Sequence, residues 1–303
     1  MIEVSDLTKR YGGRFAVEGL SFQVRPGVVT GFLGPNGAGK STTMRMILGL
    51  DHPTRGTATI GGRPYRSLSR PLHRVGSLLE AKAVHGGRSA RSHLLGLARS
   101  NAIARSRVDE VLEHTGLSDV GGRKPKKFSL GMSQRLGIAA ALLGDPEVLI
   151  FDEPVNGLDP EGVRWIRNLM KRFAAEGRTV LVSSHLMSEM ADTADRLIVI
   201  GRGKLIADMT TQELLEQGSN NHIRVKGRQL SRVATVLENA GAKVTMGDGD
   251  LRVAGTTPER IAELAAAHAL TLHELTPVHA SLESVFMELT ADSVEYQAQG
   301  GNR

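Results

Sequence analysis

The segment Gly34–Ser41, which reads Gly-Pro-Asn-Gly-Ala-Gly-Lys-Ser, combines the residue types that bind phosphate groups. Its glycines let backbone N–H groups close around phosphate oxygens, and a helix predicted to begin near Gly39 adds the positive end of its dipole. Lys40 is expected to reach the β- and γ-phosphates of a nucleotide, and the Ser41 hydroxyl to bind Mg²⁺. The alternative is an accidental glycine-rich turn.

Two carboxylates follow an apolar stretch further along the chain. Val148–Phe151 is a run of buried-type residues, and Asp152 and Glu153 come directly after it. A strand buried on both faces brings its carboxyl end to the edge of the sheet where open α/β folds bind ligands. Asp152 is suited to bind Mg²⁺ through water, and Glu153 to polarise an attacking water. The simpler alternative is that these acids cap the following turn.

Alternating strands and helices are predicted around these residues, which is the pattern of a doubly wound α/β core. The helix Lys40–Leu48 follows the phosphate-binding segment. Strands are predicted over Val28–Leu33, Val75–Leu79, Glu147–Phe151, Thr179–Ser183 and Arg196–Ile200. From Ala81 to Gly144 the strand pattern disappears, which indicates a helical insert. Its helices are predicted over Ser89–Ser100, Arg107–His114 and Ser133–Leu143.

The sequence pattern changes after the turn-forming segment Gln217–Asn221. The remainder predicts a β-α-β-β-α-β order, which is ferredoxin-like, followed by a helix over Ser281–Leu289. We expect a large domain at 1–218, a small α+β domain at 222–290 that regulates or dimerises, and a flexible tail at 291–303. The strands are His222–Lys226, Lys243–Met246, Leu251–Ala254 and Thr271–Leu275, and the helices are Leu230–Asn239 and Pro258–His268.

Composition narrows the possible functions. The chain of 303 residues contains no cysteine, which excludes disulfides and thiolate metal sites. No apolar run approaches the ~20 residues that cross a bilayer. The net charge is +6, and 61–107 holds ten Lys and Arg but one acid, Glu80. This basic window indicates either a surface that meets nucleic acid, anionic lipid headgroups or an acidic partner, or a solvated face. Only 4% of residues are aromatic, so the stacking surfaces of a nucleic-acid binder are not expected.

The segment Phe128–Arg135 reads Phe-Ser-Leu-Gly-Met-Ser-Gln-Arg and opens a predicted helix, where free N–H groups attract an anion. It resembles the signature segment of ABC-transporter ATPases, in the variant with Leu and Met in place of Gly and Gln. Ser129 and Gly131 match the serine and a glycine of that signature. An ordinary serine N-cap is the alternative. The resemblance covers roughly residues 2–218, with the motifs in the family's order.

This resemblance implies a fold and a substrate. The fold is a P-loop NTPase (RecA-like) core with an antiparallel β subdomain and a helical subdomain at about 81–144. The reaction is ATP hydrolysis with Mg²⁺, in which Lys40, Glu153 and His185 are the catalytic residues. The residues implied to hold the phosphates of ATP are Gly34, Pro35, Asn36, Gly37, Ala38, Gly39, Lys40, Ser41 and Thr42.

Further positions match the family's pattern. Tyr11 occupies the place of the aromatic residue that stacks on adenine, although a packing role is equally open. His185 resembles the switch histidine that contacts the γ-phosphate, and a surface histidine is its alternative. Glu80 stands where many members have glutamine. It is implied to bind Mg²⁺ together with Ser41 and Asp152, and a solvated glutamate is the competing interpretation.

The resemblance also implies partners. In this family two ATPase subunits, identical or different, face each other head to tail. The signature residues Ser129, Gly131 and Met132, with Asp159 from the coupling loop Asn156–Asp159, then contact the ATP held by the other subunit. A separate transmembrane permease would hold the pair at the cytoplasmic face of the membrane. Three features resemble those of drug-export subunits: Glu80, the signature variant and the appended small domain. An importer remains an alternative, and a non-transport ABC ATPase a weaker one.

Overall fold

Short apolar segments form the parallel strands of this structure, a computed structural model that describes residues 1–84, 86–216, 218, 221–278 and 280–290. The strands are β1 (Ile2–Tyr11), β2 (Arg14–Val24), β3 (Val29–Leu33), β4 (Arg55–Ile60), β5 (Val75–Leu78), β6 (Val148–Asp152), β7 (Thr179–Ser183), β8 (Arg196–Gly201), β9 (Lys204–Thr210), β10 (His222–Gly227), β11 (Lys243–Met246), β12 (Leu251–Ala254) and β13 (Leu272–Val278). The helices are α1 (Lys40–Ile47), α2 (Ala90–Ser100), α3 (Ser106–His114), α4 (Leu130–Leu142), α5 (Pro160–Ala175), α6 (Met187–Thr193), α7 (Thr211–Glu216), α8 (Leu230–Asn239), α9 (Pro258–Ala267) and α10 (Leu282–Thr290).

Residue contacts divide the chain into two compact units. The first is built on Met1–Thr211 and the second is Gln212–Glu288. The sequence placed the division a few residues later, between 218 and 222. The tail predicted at 291–303 lies outside the described residues.

A six-stranded sheet lies at the centre of the first unit, in the order β5-β6-β7-β3-β8-β9. Its first five strands are parallel, and β9 pairs antiparallel with β8. Every residue of β3 and β7 is buried, as expected of parallel strands covered on both faces. The predicted α/β core is confirmed, and the carboxyl ends of β3, β6 and β7 lie side by side at one edge of the sheet.

A second sheet of the first unit is antiparallel, in the order β2-β1-β4. The two sheets share one hydrophobic core, in which the rings of Phe22 and Phe32 lie 5.5 Å apart. Met44 and Ile47 of α1 are buried in the same core. The antiparallel β subdomain implied by the family resemblance is therefore present.

The helical insert is also present: within the described residues, no strand lies between Leu78 and Val148. Its last helix, α4, begins at Leu130 and not at Ser133, because the Ser129 hydroxyl accepts a hydrogen bond from the Met132 N–H at 3.1 Å and caps the helix. Against β5, the backbone of α4 approaches so closely that a Cβ at Gly76 would lie 2.0 Å from the Ala141 carbonyl oxygen.

The second unit has a four-stranded sheet in the order β11-β12-β10-β13, with every neighbouring pair antiparallel. Together with α8 and α9, this is the ferredoxin-like arrangement predicted for β-α-β-β-α-β. Val225 and Leu251 from the strands and Ile261 from α9 are fully buried in its own core. Strand β13 continues to Val278, beyond the predicted end at Leu275, because it pairs with β10 as far as His222.

The contact at Gly76 yields a prediction about how α4 is held. Gly76→Ala should lower the free energy of unfolding by about 1–3 kcal/mol, because the added methyl group would force α4 away from β5. Urea denaturation measures the change. Gly122→Ala is the control, since a Cβ there meets nothing within 4 Å. Equal stabilities of the two variants would contradict this account of the packing.

Candidate nucleotide-binding site

The phosphate-binding segment forms the loop between β3 and α1, and its backbone requires glycine at Gly39. The φ angle of Gly39 is 101°, in the left-handed region. A Cβ at this position would also lie 2.4 Å from the Ala16 carbonyl oxygen. The loop can therefore keep its curvature against the β1–β2 hairpin, and the amino end of α1 faces the space above it.

Lys40, the first residue of α1, lies beneath this loop and is only 8% exposed. Its Nζ donates hydrogen bonds to the carbonyl oxygens of Gly34 at 2.6 Å and Pro35 at 3.3 Å. Burial lowers the pKa of Lys40, while the negative charges of Glu153 and Asp152 act in the opposite direction. The ammonium group is thus held by neutral carbonyl partners, and a negatively charged phosphate would stabilise its buried charge more strongly than they do.

Asp152 ends β6 and joins two neighbouring elements. Its Oδ2 accepts a hydrogen bond from the Ser41 hydroxyl of α1 at 2.6 Å. Its Oδ1 accepts a second hydrogen bond from the Ser183 hydroxyl, at the end of β7. The sheet order, which places β6 beside β7, therefore fixes the carboxylate at the start of α1.

Glu153 has a left-handed backbone with a φ of 51°. Its N–H donates to the Ser183 hydroxyl at 3.0 Å, and its carbonyl oxygen accepts from the Gln134 side chain at 3.0 Å. Its Oε2 lies 2.7 Å from Nδ1 of His185 and also accepts from the His185 backbone N–H at 3.3 Å. The structure thus brings the predicted base and the predicted switch histidine into direct contact.

These groups surround one cleft of about 330 Å³. Polar and charged residues line most of it, which suits a phosphate-bearing ligand more than an apolar one. The lining residues are Ala16, Asn36, Gly37, Ala38, Gly39, Lys40, Ser41, Thr42, Leu79, Asp152 and Glu153.

Tyr11 and Glu80 lie outside this lining. The Tyr11 ring is about half exposed, its hydroxyl donates to Asp51 Oδ2 at 3.2 Å, and Lys9 Nζ lies 4.9 Å from the ring centre. Partial burial, reinforced by the Asp51 charge, raises the pKa of Tyr11. Glu80 is exposed and directly follows Leu79, which lines the cleft.

The signature residues do not line the cleft of their own chain either. Ser129 is exposed at the amino end of α4, where its hydroxyl caps the helix. Gly131 lies close to the coupling loop, because a Cβ there would be 2.8 Å from the Gly157 carbonyl oxygen. The Asp159 carboxylate accepts from the Gly162 N–H at 2.8 Å and caps α5. A single chain therefore keeps the Lys40 cleft and the Ser129 surface separate.

No role for Ser183 or Gln134 is predicted from the sequence, although both contact the acidic pair. Ser183 could have been suspected because it ends a buried strand next to β6, where a hydroxyl needs a hydrogen-bond partner. Gln134 is quoted within the signature segment, but no local pattern indicates that its side chain reaches Glu153. Only the packing of α4 against the sheet makes that contact visible.

A family model described as ABC transporter matches residues 17–156, and a domain of unknown function matches 221–283. An uncharacterised ABC transporter ATP-binding protein, YhcH of Bacillus subtilis, is 37% identical over 97% of each chain. This chain belongs to the ATP-binding proteins of ABC transporters. The bacitracin transport ATP-binding protein BcrA of Bacillus licheniformis is 43% identical over 71% of each chain. The lantibiotic transport ATP-binding protein SrtF of Streptococcus pyogenes is 36% identical over 76% of this chain and all of its own length.

A solved structure agrees with this assignment. A dimeric ATP-binding cassette in a post-hydrolysis state, bound to ADP and phosphate, has a TM-score of 0.64 and 25% identity. The likeness covers 70% of this chain and 99% of the other. The ABC protein described here is accordingly an ATP-binding protein and an ATPase.

Within the described part of the ABC protein, no helix combines the length and apolar character needed to span a bilayer.

The contacts of Ser183 generate a prediction for this site. Ser183→Ala removes the hydroxyl that donates to Asp152 and accepts from the Glu153 N–H. We expect kcat for ATP hydrolysis to fall about tenfold, with ATP affinity changed less than about threefold, because the lost contacts orient the acids and not the phosphate loop. Steady-state kinetics measure both constants. Ser184→Ala is the matched control, because that hydroxyl accepts from the Leu186 N–H instead. A Ser183→Ala variant with unchanged kcat would contradict this role.

Proposed function

We propose that this ATPase is one half of an ATP-sandwiching pair that powers export of a drug-like small molecule, such as a peptide antibiotic, through a separate transmembrane permease. The observation that carries the pairing is the separation of Ser129 from the cleft of its own chain. Ser129 is exposed at a helix N-terminus, where a γ-phosphate would be stabilised. In the proposed pair, that phosphate belongs to the ATP bound by the facing subunit.

In this proposal the loop 34–42 holds the phosphates of ATP. The Lys40 ammonium exchanges its contacts with the Gly34 and Pro35 carbonyls for phosphate oxygens, which provide charge where the present partners provide only dipoles. The amino end of α1 adds backbone N–H groups. The Tyr11 ring is half exposed, and adenine would stack on it.

The oxygen ligands at the start of α1 fit Mg²⁺. Ser41 and Asp152 place a hydroxyl and a carboxylate 2.6 Å apart, and such hard oxygen donors suit this ion, which takes its remaining ligands from phosphates and water. When bound, Mg²⁺ would neutralise charge that develops on the transferred phosphoryl group. Glu80, on the loop after β5, would contribute through a water molecule after a movement of that loop.

Glu153 is the proposed base and His185 its partner. The Glu153 carboxylate lines the cleft next to the phosphate loop, where it can accept a proton from the attacking water. Its contact with His185 Nδ1 keeps the carboxylate oriented before ATP arrives. When ATP is bound, His185 would contact the γ-phosphate, so that the position of Glu153 would depend on whether that phosphate is present.

The second subunit completes the site in this proposal. Ser129, Gly131 and Met132 at the start of α4, with Asp159 after the coupling loop, would lie over the ATP of the facing subunit. ATP then becomes part of the interface, so its hydrolysis weakens the contact and lets the subunits separate. That motion, at the cytoplasmic face of the membrane, would move the permease between orientations.

Antibiotic export is supported by the names of two relatives, which describe transport of bacitracin and of a lantibiotic. We assign the ATPase domain to 1–218 and a regulatory or dimerising domain to 222–290. The second assignment is supported by the separate hydrophobic core of the second unit and by the absence of site residues from its described part. No nucleic-acid partner is proposed.

Paired variants of Lys40 and Glu153 test hydrolysis and export together. Lys40→Ala should lower ATPase activity by at least about a hundredfold, since it removes charge that stabilises the transferred phosphoryl group. Glu153→Gln should keep ATP binding and accumulate an ATP-bound dimer, which gel filtration with multi-angle light scattering detects. In cells that also express the permease, both variants should abolish the antibiotic resistance that the unchanged chain confers. Hydrolysis by Glu153→Gln at the unchanged rate would refute the base assignment, and full resistance with Lys40→Ala would refute powered export.

Mixing two inactive variants tests the shared site. Ser129→Arg subunits and Lys40→Ala subunits should each lack activity alone, whereas a mixed pair retains one site with an intact Lys40 and an intact Ser129 facing it. ATPase assays of co-purified, differently tagged subunits should show that activity returns. If the mixed pair stays inactive, Ser129 does not contribute to ATP across the interface.

A further inference from the structure

Gln134 is a polar residue buried in the first unit, and the proposed reaction has so far given it no role. It lies in the second turn of α4, and only 4% of it is exposed. Its Nε2 donates to the backbone carbonyl oxygen of Glu153 at 3.0 Å. Its Oε1 is buried and has no hydrogen-bond partner among the described residues.

The unsatisfied Oε1 indicates that packing alone does not explain Gln134. A buried polar atom without a partner destabilises the folded state, and an apolar side chain of similar volume would avoid that cost. The feature that an apolar side chain cannot reproduce is the hydrogen bond to Glu153. Because a carbonyl oxygen can only accept, this bond also fixes which end of the amide faces Glu153.

That bond constrains the strained backbone of Glu153. The left-handed φ of 51° at Glu153 is costly for a residue with a side chain, and such a backbone persists only where its surroundings constrain it. Ser183 in β7 accepts from the N–H of Glu153, while the carbonyl oxygen of Glu153 accepts from Gln134 in α4 at 3.0 Å and from the Asn156 N–H of the following loop at 3.3 Å. One of the two peptide groups that flank the proposed base is therefore held by the sheet, and the shorter of the two bonds to the other comes from α4.

The same helix is capped by Ser129, five residues before Gln134. A short, continuous element thus runs from an exposed helix end to the backbone of the base: Ser129 caps α4, the Ser133 hydroxyl bonds back to the Ser129 carbonyl at 3.0 Å, and Gln134 reaches Glu153. A displacement of the helix end would be passed directly to the peptide that orients Glu153.

We propose that Gln134 is a positioning residue for Glu153. Through Gln134, the position of α4 at the ATP of the facing subunit controls how fast Glu153 acts on the ATP of its own subunit. The inference rests on the proposed pairing: Ser129 of a subunit contacts the ATP held by its partner, while Glu153 of the same subunit acts on its own ATP. Gln134 connects the two within one chain. The rate of hydrolysis at one site then depends on how α4 of the same subunit is seated at the facing site.

The first test is the substitution Gln134→Met, which keeps the side-chain volume and removes the hydrogen bond. It should lower kcat about tenfold or more and leave KM for ATP within about threefold, and it should weaken the cooperativity of hydrolysis in ATP concentration. Ile138→Val, one turn later in the same helix and also buried, is the control for lost packing and should keep kcat and cooperativity. Unchanged kcat and cooperativity in Gln134→Met, in a preparation whose parent hydrolyses ATP, would overturn the inference.

The second test places the substitution in one subunit of a mixed pair whose other site is disabled by Lys40→Ala. The working site uses Lys40 and Glu153 of the unmodified subunit and Ser129 of the Lys40→Ala subunit. Gln134→Met in the subunit with the working Glu153 should slow hydrolysis about tenfold, whereas in the Lys40→Ala subunit it should leave the rate within about twofold. Equal loss from both placements would overturn the inference, because Gln134 would then act on the presentation of Ser129. An inactive reference pair would refute the proposed pairing itself, and the Gln134→Met kinetics of the unmixed protein would still decide the role of Gln134.

Discussion

The two hydrogen bonds accepted by Asp152 connect the three elements on which the nucleotide site depends. Ser41 begins the helix after the phosphate loop, Asp152 ends β6, and Ser183 ends β7. Without this connection, the loop that binds phosphates and the strand that carries the acids would meet only through the packing of the sheet. Because the carboxylate accepts from both sides, it stays oriented at the position where a divalent cation would bind.

The geometry of Glu153 follows from the position of Asp152 between α1 and β7. As the residue after Asp152, it leaves the sheet with a left-handed backbone, and Ser183, Gln134 and His185 hold its N–H, its carbonyl oxygen and its carboxylate. The proposed base is therefore oriented by the sheet, by the helical insert and by the loop after β7. The orientation of this one acid thus depends on the positions of three parts of the first unit.

The sequence predicted this fold well because its strands and helices carry strong local signals. The glycine-rich loop, the apolar strand before Asp152 and the turn-forming segment before β10 are each visible in the chain itself, and the structure confirmed the core and the ferredoxin-like order. Start points were less predictable: α4 begins at Leu130 because Ser129 caps it, and the hydrophobic pattern alone placed the start at Ser133. The contacts of Gln134 and Ser183 with Glu153 were not predictable, since they arise when segments about 20 and 30 residues away pack together. The assignments of Tyr11, Glu80 and the signature residues came from family resemblance and stay predictions.

In the proposed pair, one ATP is shared by the phosphate loop of one subunit and the signature segment of the other. The chain has no cysteine, so single spin labels can be introduced without background. Subunits with Gly13→Cys in the β1–β2 turn and subunits with Gly122→Cys in the helical insert, positions where an added Cβ meets nothing within 4 Å, would be labelled separately and mixed, and the distance between labels measured by double electron–electron resonance. ATP should produce a single narrow distance between labels on different subunits, and ADP should abolish it. A distance distribution that does not respond to ATP would contradict the proposed pair.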